Sequence, residues 1–314
     1  MSDKISVIAP VYNEAAVIVS YLETTINILK QYDYELVIVD DGSTDNTLDI
    51  CRAFADKNHR IKILVFSRNY GHEFALTAGI DFCKGDYAIL MDTDLQHPPA
   101  LIPQLIDEIK KGYDIVNAKR SNRAYEKSWL KRQVATLFYQ FAHKMTGFKL
   151  DSDVGNYKIL SRKVIDSLKQ MKENSRHLLM LFAYIGFKTS SIPFECEERA
   201  AGESKYNYRK LANLAIDSII SFSHRPLRYM SILAIFISFL LTGYAGFIVL
   251  QKLFLDQQLA DGVASVIFIT SGLFAILFLF LAILSEYISR ILLETKGRPL
   301  YYLREIIEKD PSNE

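Results

Sequence analysis

A mostly parallel, doubly wound α/β sheet followed by two C-terminal membrane helices is the architecture this sequence predicts, on three observations. Short β-branched runs alternate with stretches of helical spacing through the first part of the chain. Polar clusters sit where several of those runs end, and the composition turns abruptly apolar after about residue 226.

Residues 5–10, 35–40, 61–67, 87–91 and 115–119 are the apolar runs, short enough and rich enough in Val and Ile to read as buried strands. Between them, residues 15–29, 47–57 and 100–111 carry apolar side chains at helical spacing, each stretch preceded by a plausible cap or proline. Strand, helix, strand in that order demands a crossover connection, so neighbouring strands are expected to run parallel. In such sheets ligands bind beyond the carboxyl ends of the strands, which makes the polar clusters site candidates.

Residues 227–250 and 263–287 are each long enough, as helices, to cross a hydrocarbon layer of about 30 Å. The segment joining them holds one Lys and two Asp, whereas Arg225, Arg228, Arg290, Lys296 and Arg298 flank the outer ends of the pair. The positive-inside rule then places both termini and the sheet domain on the cytoplasmic side, in a bacterium that of the inner membrane. Leu211, Leu214, Ala215, Ile219 and Phe222 form an apolar stripe ahead of the first span, expected to lie along the bilayer. The chain therefore divides into a catalytic domain (1–205), a juxtamembrane helix (206–226), the two spans (227–290) and a tail (291–314). Gly243, Gly246 and Gly272 in the spans allow close helix packing, and with it a homo-oligomer.

A formal net charge of +1 over 314 residues leaves no basic field for nucleic acid. Cys51, Cys83 and Cys196 are odd in number, far apart and without metal-ligand spacing, as buried thiols in a reducing compartment would be. The apolar run near Met1 is too short for a signal-peptide core.

The chemistry centres on Asp92-x-Asp94, directly after the fourth run. Two carboxylates leaving a strand together can bind a hard cation, Mg²⁺ or Mn²⁺, that neutralises a departing diphosphate. Asp-x-Asp is also a common turn pattern, so its neighbours decide. Residues 39–45, Val-Asp-Asp-Gly-Ser-Thr-Asp, end the second run, and residues 9–14, Ala-Pro-Val-Tyr-Asn-Glu, end the first. Three such clusters on one sheet would meet in one crevice.

The pattern Pro10-x-Tyr12-Asn13-Glu14, Asp40-Asp41-Gly42-Ser43-x-Asp45 and Asp92-x-Asp94-x-Gln96-x-Pro98 resembles the family 2 glycosyltransferases, which have the Rossmann-like GT-A fold. With Arg68-Asn69-x-Gly71 before it and Arg199-x-x-Gly202-x-Ser204-Lys205 after it, the chain is similar to the polyprenyl-phosphate glycosyltransferases and dolichyl-phosphate mannose synthases; two C-terminal spans bring it nearest the bactoprenol glucosyltransferases. That resemblance implies transfer of a hexose from a nucleotide-sugar, UDP-glucose or alternatively GDP-mannose, to a polyprenyl phosphate such as undecaprenyl phosphate at the lipid bilayer. It implies that Tyr12 and Asp41 hold the nucleotide, that Pro10, Glu14 and Arg68 shape its wall, and that Asp94, with Asp92 on the metal or ribose side, holds the cation. Gln96 would lie near the sugar, and Arg199 and Lys205 on phosphate oxygens. Asp153 matches a base-like carboxylate of relatives and equally a turn aspartate before Gly155.

Inversion at the anomeric carbon needs an in-line nucleophile, and a phosphate monoester, with a second pKa of about 6, is already anionic at neutral pH. Alignment and charge relief therefore matter more than a protein base. Lys119, Arg120, Arg123, Lys127, Lys131 and Arg132, beside Trp129 and an aromatic stretch at 137–145, suit an anionic membrane surface. Arg120, Arg123, Arg132, Arg199 and Ser204 are the candidates for the acceptor phosphate; a solvated basic face is the competing view. Two rivals remain. A processive polysaccharide synthase would need more than two spans and a Gln-x-x-Arg-Trp motif that the chain lacks. An inactive lipid-binding scaffold would have no use for Asp41, Asp92 and Asp94.

Overall fold

The computed structural model describes residues 3–94, 96–121, 147, 154–174, 176–195, 225–255 and 262–309. These form β1 (Lys4–Val11), α1 (Ile18–Leu29), β2 (Asp33–Asp40), α2 (Thr47–Ala55), β3 (Ile61–Phe66), α3 (His72–Phe82) and β4 (Tyr87–Leu90). A 3₁₀ turn (Pro99–Leu101) then leads into α4 (Ile102–Ile109), followed by β5 (Ile115–Arg120), β6 (Val154–Ser161), α5 (Arg162–Gln170), α6 (Leu178–Ile185) and β7 (Thr189–Phe194). Two long helices, α7 (Arg225–Leu255) and α8 (Val263–Thr295), precede a last strand, β8 (Leu303–Ile307).

The chain divides into two compact units. The described part of the first holds the sheet, its covering helices and β8; that of the second holds α7 and α8.

The strands lie in the order β7-β5-β6-β4-β1-β2-β3-β8. β4, β1, β2 and β3 run parallel, joined by helices as the alternation of patterns requires. Val7, Ile8, Ala9, Leu36, Val37, Ile38, Ile63 and Leu64 are fully buried, which explains continuous apolar runs without alternation. α4 presents one stripe to this layer: its buried residues are Ile102, Leu105, Ile106 and Ile109, spaced by one helical turn.

Beyond β4 the expectation of a mostly parallel sheet fails. β6 is antiparallel to both β4 and β5, and β8 is antiparallel to β3, so the sheet is mixed. The expectation rested on runs that stop at residue 119; β6, β7 and β8 lie outside them, and β6 enters between β4 and β5 in reverse. The expected tail also contains the edge strand β8, which carries charged side chains among its apolar ones.

Both predicted spans fall within helices of 31 and 33 residues. Among the described residues one stretch, Gly272–Thr295, is long and apolar enough to cross a membrane, and none of it is buried. The apolar stretch of α7, Leu227–Leu241, is shorter. Residues 206–224 of the expected juxtamembrane helix lie outside the described residues.

Candidate active site

The loops after β1 and β2 are stitched together. Asn13 adopts φ 55°, a left-handed conformation that Asn tolerates better than most residues. Its N–H donates to Ser43 Oγ at 3.0 Å, and its Oδ1 accepts the Thr44 N–H at 2.8 Å. Glu14 N–H donates to Thr47 Oγ1 at 2.9 Å, while the Asp45 carboxylate accepts the N–H groups of Ala15 and Thr47. Glu14 also closes the turn that leads into α1, its carbonyl accepting the N–H groups of Val17 and Ile18. Tyr12, 44% exposed, projects from this knot as an open ring.

Asp41 ties the β2 loop to the loop after β3. Its carboxylate accepts the N–H of Tyr70 at 2.6 Å and that of Gly71 at 2.9 Å. Burial outweighs those hydrogen bonds and holds the Asp41 carboxyl above the usual range. Gly42, at φ 72°, makes the close approach possible: a Cβ there would lie 2.7 Å from the carbonyl carbon of Arg68. Arg68 in turn lays its guanidinium 4.1 Å from the centre of the Tyr70 ring. A carboxylate has about four acceptor positions, so Asp41 braces this loop and still has acceptor capacity left over.

At the end of β4, Asp92 stands between two histidines. Its Oδ1 lies 2.7 Å from His72 Nε2, and its backbone N–H donates to His97 Nδ1 at 3.1 Å. His97 is buried and stacked on Tyr157, whose hydroxyl donates to the Pro98 carbonyl. Burial holds the His97 imidazole below its usual pKa despite Asp92 and Asp94 nearby, and with Nδ1 accepting, its proton sits on Nε2. His72 goes the other way: burial lowers it, but Asp92 more than compensates, and Glu73 and Asp41 add to the rise. For Asp92, burial raises the carboxyl, but the hydrogen bond from His72 and the surrounding charges, Arg120 among them, leave it below the usual range.

His72 therefore feels both Asp41 and Asp92, and His97 feels Asp92 and Asp94. The three aspartates singled out in the sequence follow the carboxyl ends of the parallel strands β2 and β4, linked through these two histidines. Thr93 fixes the floor by donating to the Pro10 carbonyl at 3.3 Å, and Asp94 Oδ1 accepts the Gln96 N–H at 3.1 Å. Arg120, exposed at the end of β5, is near enough for its charge to reach Asp92 and His97. Arg123, Arg132, Asp153, Arg199, Ser204 and Lys205 lie outside the described residues.

Among the described residues no three acidic, His or Cys side chains converge as a preformed cation cage. Asp92 and Asp94 nevertheless suit Mg²⁺ or Mn²⁺, because Mg²⁺ typically takes one or two carboxylates and completes its shell with substrate phosphates and water. Sequence reasoning passed over His72 and treated His97 only as a letter of the Asp92 motif. The signal for His72 was its place at the first turn of a helix after a strand, where the sheet binds its ligands.

Residues 6–169 match the model of Glycosyl transferase family 2. The chain belongs to that family. This family 2 glycosyltransferase is 37% identical over 302 residues to "Uncharacterized glycosyltransferase YkcC" of Bacillus subtilis (strain 168), covering 96% of this chain and 93% of the relative. It is 35% identical over 303 residues to "Bactoprenol glucosyl transferase" of Shigella phage SfX, covering 96% and 99%. Among solved structures it resembles the mannosyltransferase PcManGT from Pyrobaculum calidifontis in complex with GDP-Man and Mn²⁺, with a TM-score of 0.50 and 16% identity, covering 73% of this chain and 65% of that one. At that identity the likeness shows a shared GT-A fold.

Proposed function

We propose that this glycosyltransferase transfers a hexose, glucose from UDP-glucose, to a polyprenyl phosphate such as undecaprenyl phosphate, with inversion at the anomeric carbon. The placement of Asp92 between His72 and His97, with Asp41 in electrostatic reach of the first and Asp94 of the second, carries the reading, and the near full-length similarity to a bactoprenol glucosyl transferase supports the choice of acceptor and sugar.

In this reading the Tyr12 ring faces the base, while Asp41, Pro10, Glu14 and Arg68 form the wall around the nucleotide. Asp94, assisted by Asp92, would hold Mg²⁺ or Mn²⁺, which supplies charge neutralisation to the diphosphate. His72 keeps Asp92 ionised and fixed, so the carboxylate needs no reorganisation when donor binds. Gln96 lies next to Asp94 at the sugar end. The acceptor phosphate brings its own negative charge, so a strong base is unnecessary, and Asp153 is at most an orienting group. Arg120, with Arg123, Arg132, Arg199, Ser204 and Lys205, offsets repulsion between the two anionic substrates. Both C-terminal helices cross the bilayer in this reading, leaving the sheet domain and both termini in the cytoplasm, where donor is made and the acceptor headgroup is reached. Glycines along the spans favour a homo-oligomer.

The test is to incubate membranes containing the protein with undecaprenyl phosphate and a panel of radiolabelled nucleotide-sugars. A single labelled, chloroform-soluble product from UDP-glucose is expected. Label from GDP-mannose alone would reassign the donor; no labelled lipid from any donor, with metal present, would overturn the proposal. Purified protein that binds no nucleotide with Mn²⁺ or Mg²⁺ would return the chain to the inactive-scaffold reading.

A further inference from the structure

The C-terminal segment after α8 does more than trail from a helix. β8 pairs antiparallel with β3, Ile63 opposite Ile307 and Phe66 opposite Leu303, and the Ser67 N–H extends the ladder to the Tyr302 carbonyl at 2.9 Å. Charged groups fasten it to its surroundings: Glu305 meets Arg52 of α2 at 2.6 Å, and Glu308 meets Lys84 at 2.7 Å and the buried Lys62 at 3.1 Å.

The contact that matters for chemistry lies just before the strand. Tyr301 stacks on Phe66, ring centres 5.1 Å apart at 20°, and its hydroxyl donates to Asp81 of α3 at 2.8 Å. Phe66 also meets Tyr70 edge to face, ring centres 5.5 Å apart at 82°. Tyr70 is the residue whose backbone N–H holds Asp41 and whose ring carries Arg68. An aromatic row, Tyr301 to Phe66 to Tyr70, thus runs from the C-terminal segment to the loop that fixes the Asp41 carboxylate. Stacked and edge-to-face rings have defined preferred geometries, so the row transmits position rather than merely filling space.

We propose that residues 298–309 are a built-in part of the donor nucleotide site, with Tyr301 as the positioning residue that sets the 67–71 loop against Asp41. Among the described residues the polar and aromatic contacts of the segment run to α2, α3, β3 and Lys84, on the side of the Asp41 loop, so its loss should act on donor binding. The inference rests on the proposed nucleotide-sugar reading.

The experiment uses the full chain in detergent with Mn²⁺, reading UDP affinity by titration and the steady-state constants for UDP-glucose and undecaprenyl phosphate separately. Tyr301→Ala should raise the UDP Kd and the donor KM about five- to tenfold, the size of one lost aromatic contact, with kcat and the acceptor KM within about twofold. Tyr301→Phe keeps the stacked ring and should restore the donor KM toward the wild-type value. If Tyr301→Ala does not fold, Tyr301→Leu, which retains apolar volume, should show the same donor-specific loss. An unchanged donor KM in either folded variant, or a parallel loss in kcat and both KM values, overturns the inference. Wild-type protein that binds no UDP would instead defeat the nucleotide-sugar reading itself, whereas equal binding by wild type and Tyr301→Ala defeats this inference alone.

Discussion

Asp94 and Asp92 leave the same strand two residues apart, yet their surroundings assign them different work. Asp92 is engaged by His72 and His97, whereas the Asp94 carboxylate accepts the Gln96 N–H. Replacing Asp94 by Asn removes a charge and leaves the shape, so turnover should fall about 10²–10³-fold or more while the protein still elutes as folded from detergent. Full activity in that variant would remove the metal hypothesis. A second residue-scale prediction concerns a group outside the proposed chemistry. Lys158, on β6, is buried with its amine 4.1 Å from the centre of the Phe182 ring, and burial pulls it down to about 7 even though Glu73 favours the charged form. Well above pH 10 neither the folded nor the unfolded chain carries this proton. As pH falls toward 7 the unfolded chain takes it up and the native one does not, so this group costs the fold increasing stability across that window and its full cost below it. Lys158→Met should therefore stabilise the protein by about 1–4 kcal/mol near pH 7 and by clearly less near pH 9.5. Denaturant midpoints in detergent at the two pH values check this; a gain independent of pH would contradict it.

At the scale of elements, the start of α3 matters because three successive residues there make long-range ties. Gly71, at φ 106°, precedes the helix and gives an N–H to Asp41; His72 meets Asp92; and Glu73 accepts the Leu178 N–H at 3.0 Å, tying α3 to α6. The helix sits close on the sheet because Gly79 faces β1: a Cβ there would overlap Ile8 Cγ2, in a fully buried side chain. Gly79→Ala should consequently destabilise the chain by about 1–3 kcal/mol and, by lifting α3, loosen the His72 to Asp92 contact and weaken nucleotide binding. Adding Ile8→Ala makes room for the new methyl, so the double variant should recover part of both losses relative to the sum of the singles. Thermal melts and nucleotide titration on the four proteins provide the measurement, and simple additivity would show that the two residues do not press on each other.

For the whole molecule, the arrangement to be explained is an α/β sheet unit and a second unit of apolar helices whose described side chains are widely exposed. Exposed Phe, Leu and Ile along α8 have no satisfactory environment in water, which is the physical reason to place Gly272–Thr295 in a bilayer. With both flanks of the helical pair basic, protease added to inside-out vesicles should cleave the sheet domain, and protease added to right-side-out vesicles should leave it intact. Protection in the inside-out vesicles would reverse the proposed orientation.

What the amino-acid sequence determined by itself was whatever depends on near neighbours along the chain. The apolar runs that became β1 to β5, the Asp-Gly turn after β2 and the Asp-x-Asp after β4 are local signals, and convergence of three strand-end clusters follows from parallel topology alone. The reversal at β6 and the strand in the supposed tail had no such signal. β7 alternates weakly and carries Pro193, and β8 mixes charged residues with apolar ones. Only the tertiary structure could decide these, because a short charged segment becomes a strand when a free edge such as that of β3 completes its hydrogen bonds. The same holds for His72 beside Asp92, for the amine of Lys158 and for the row from Tyr301 to Tyr70. Each arises where residues distant in the chain are brought side by side, and there proximity, rather than order along the backbone, sets charge and position.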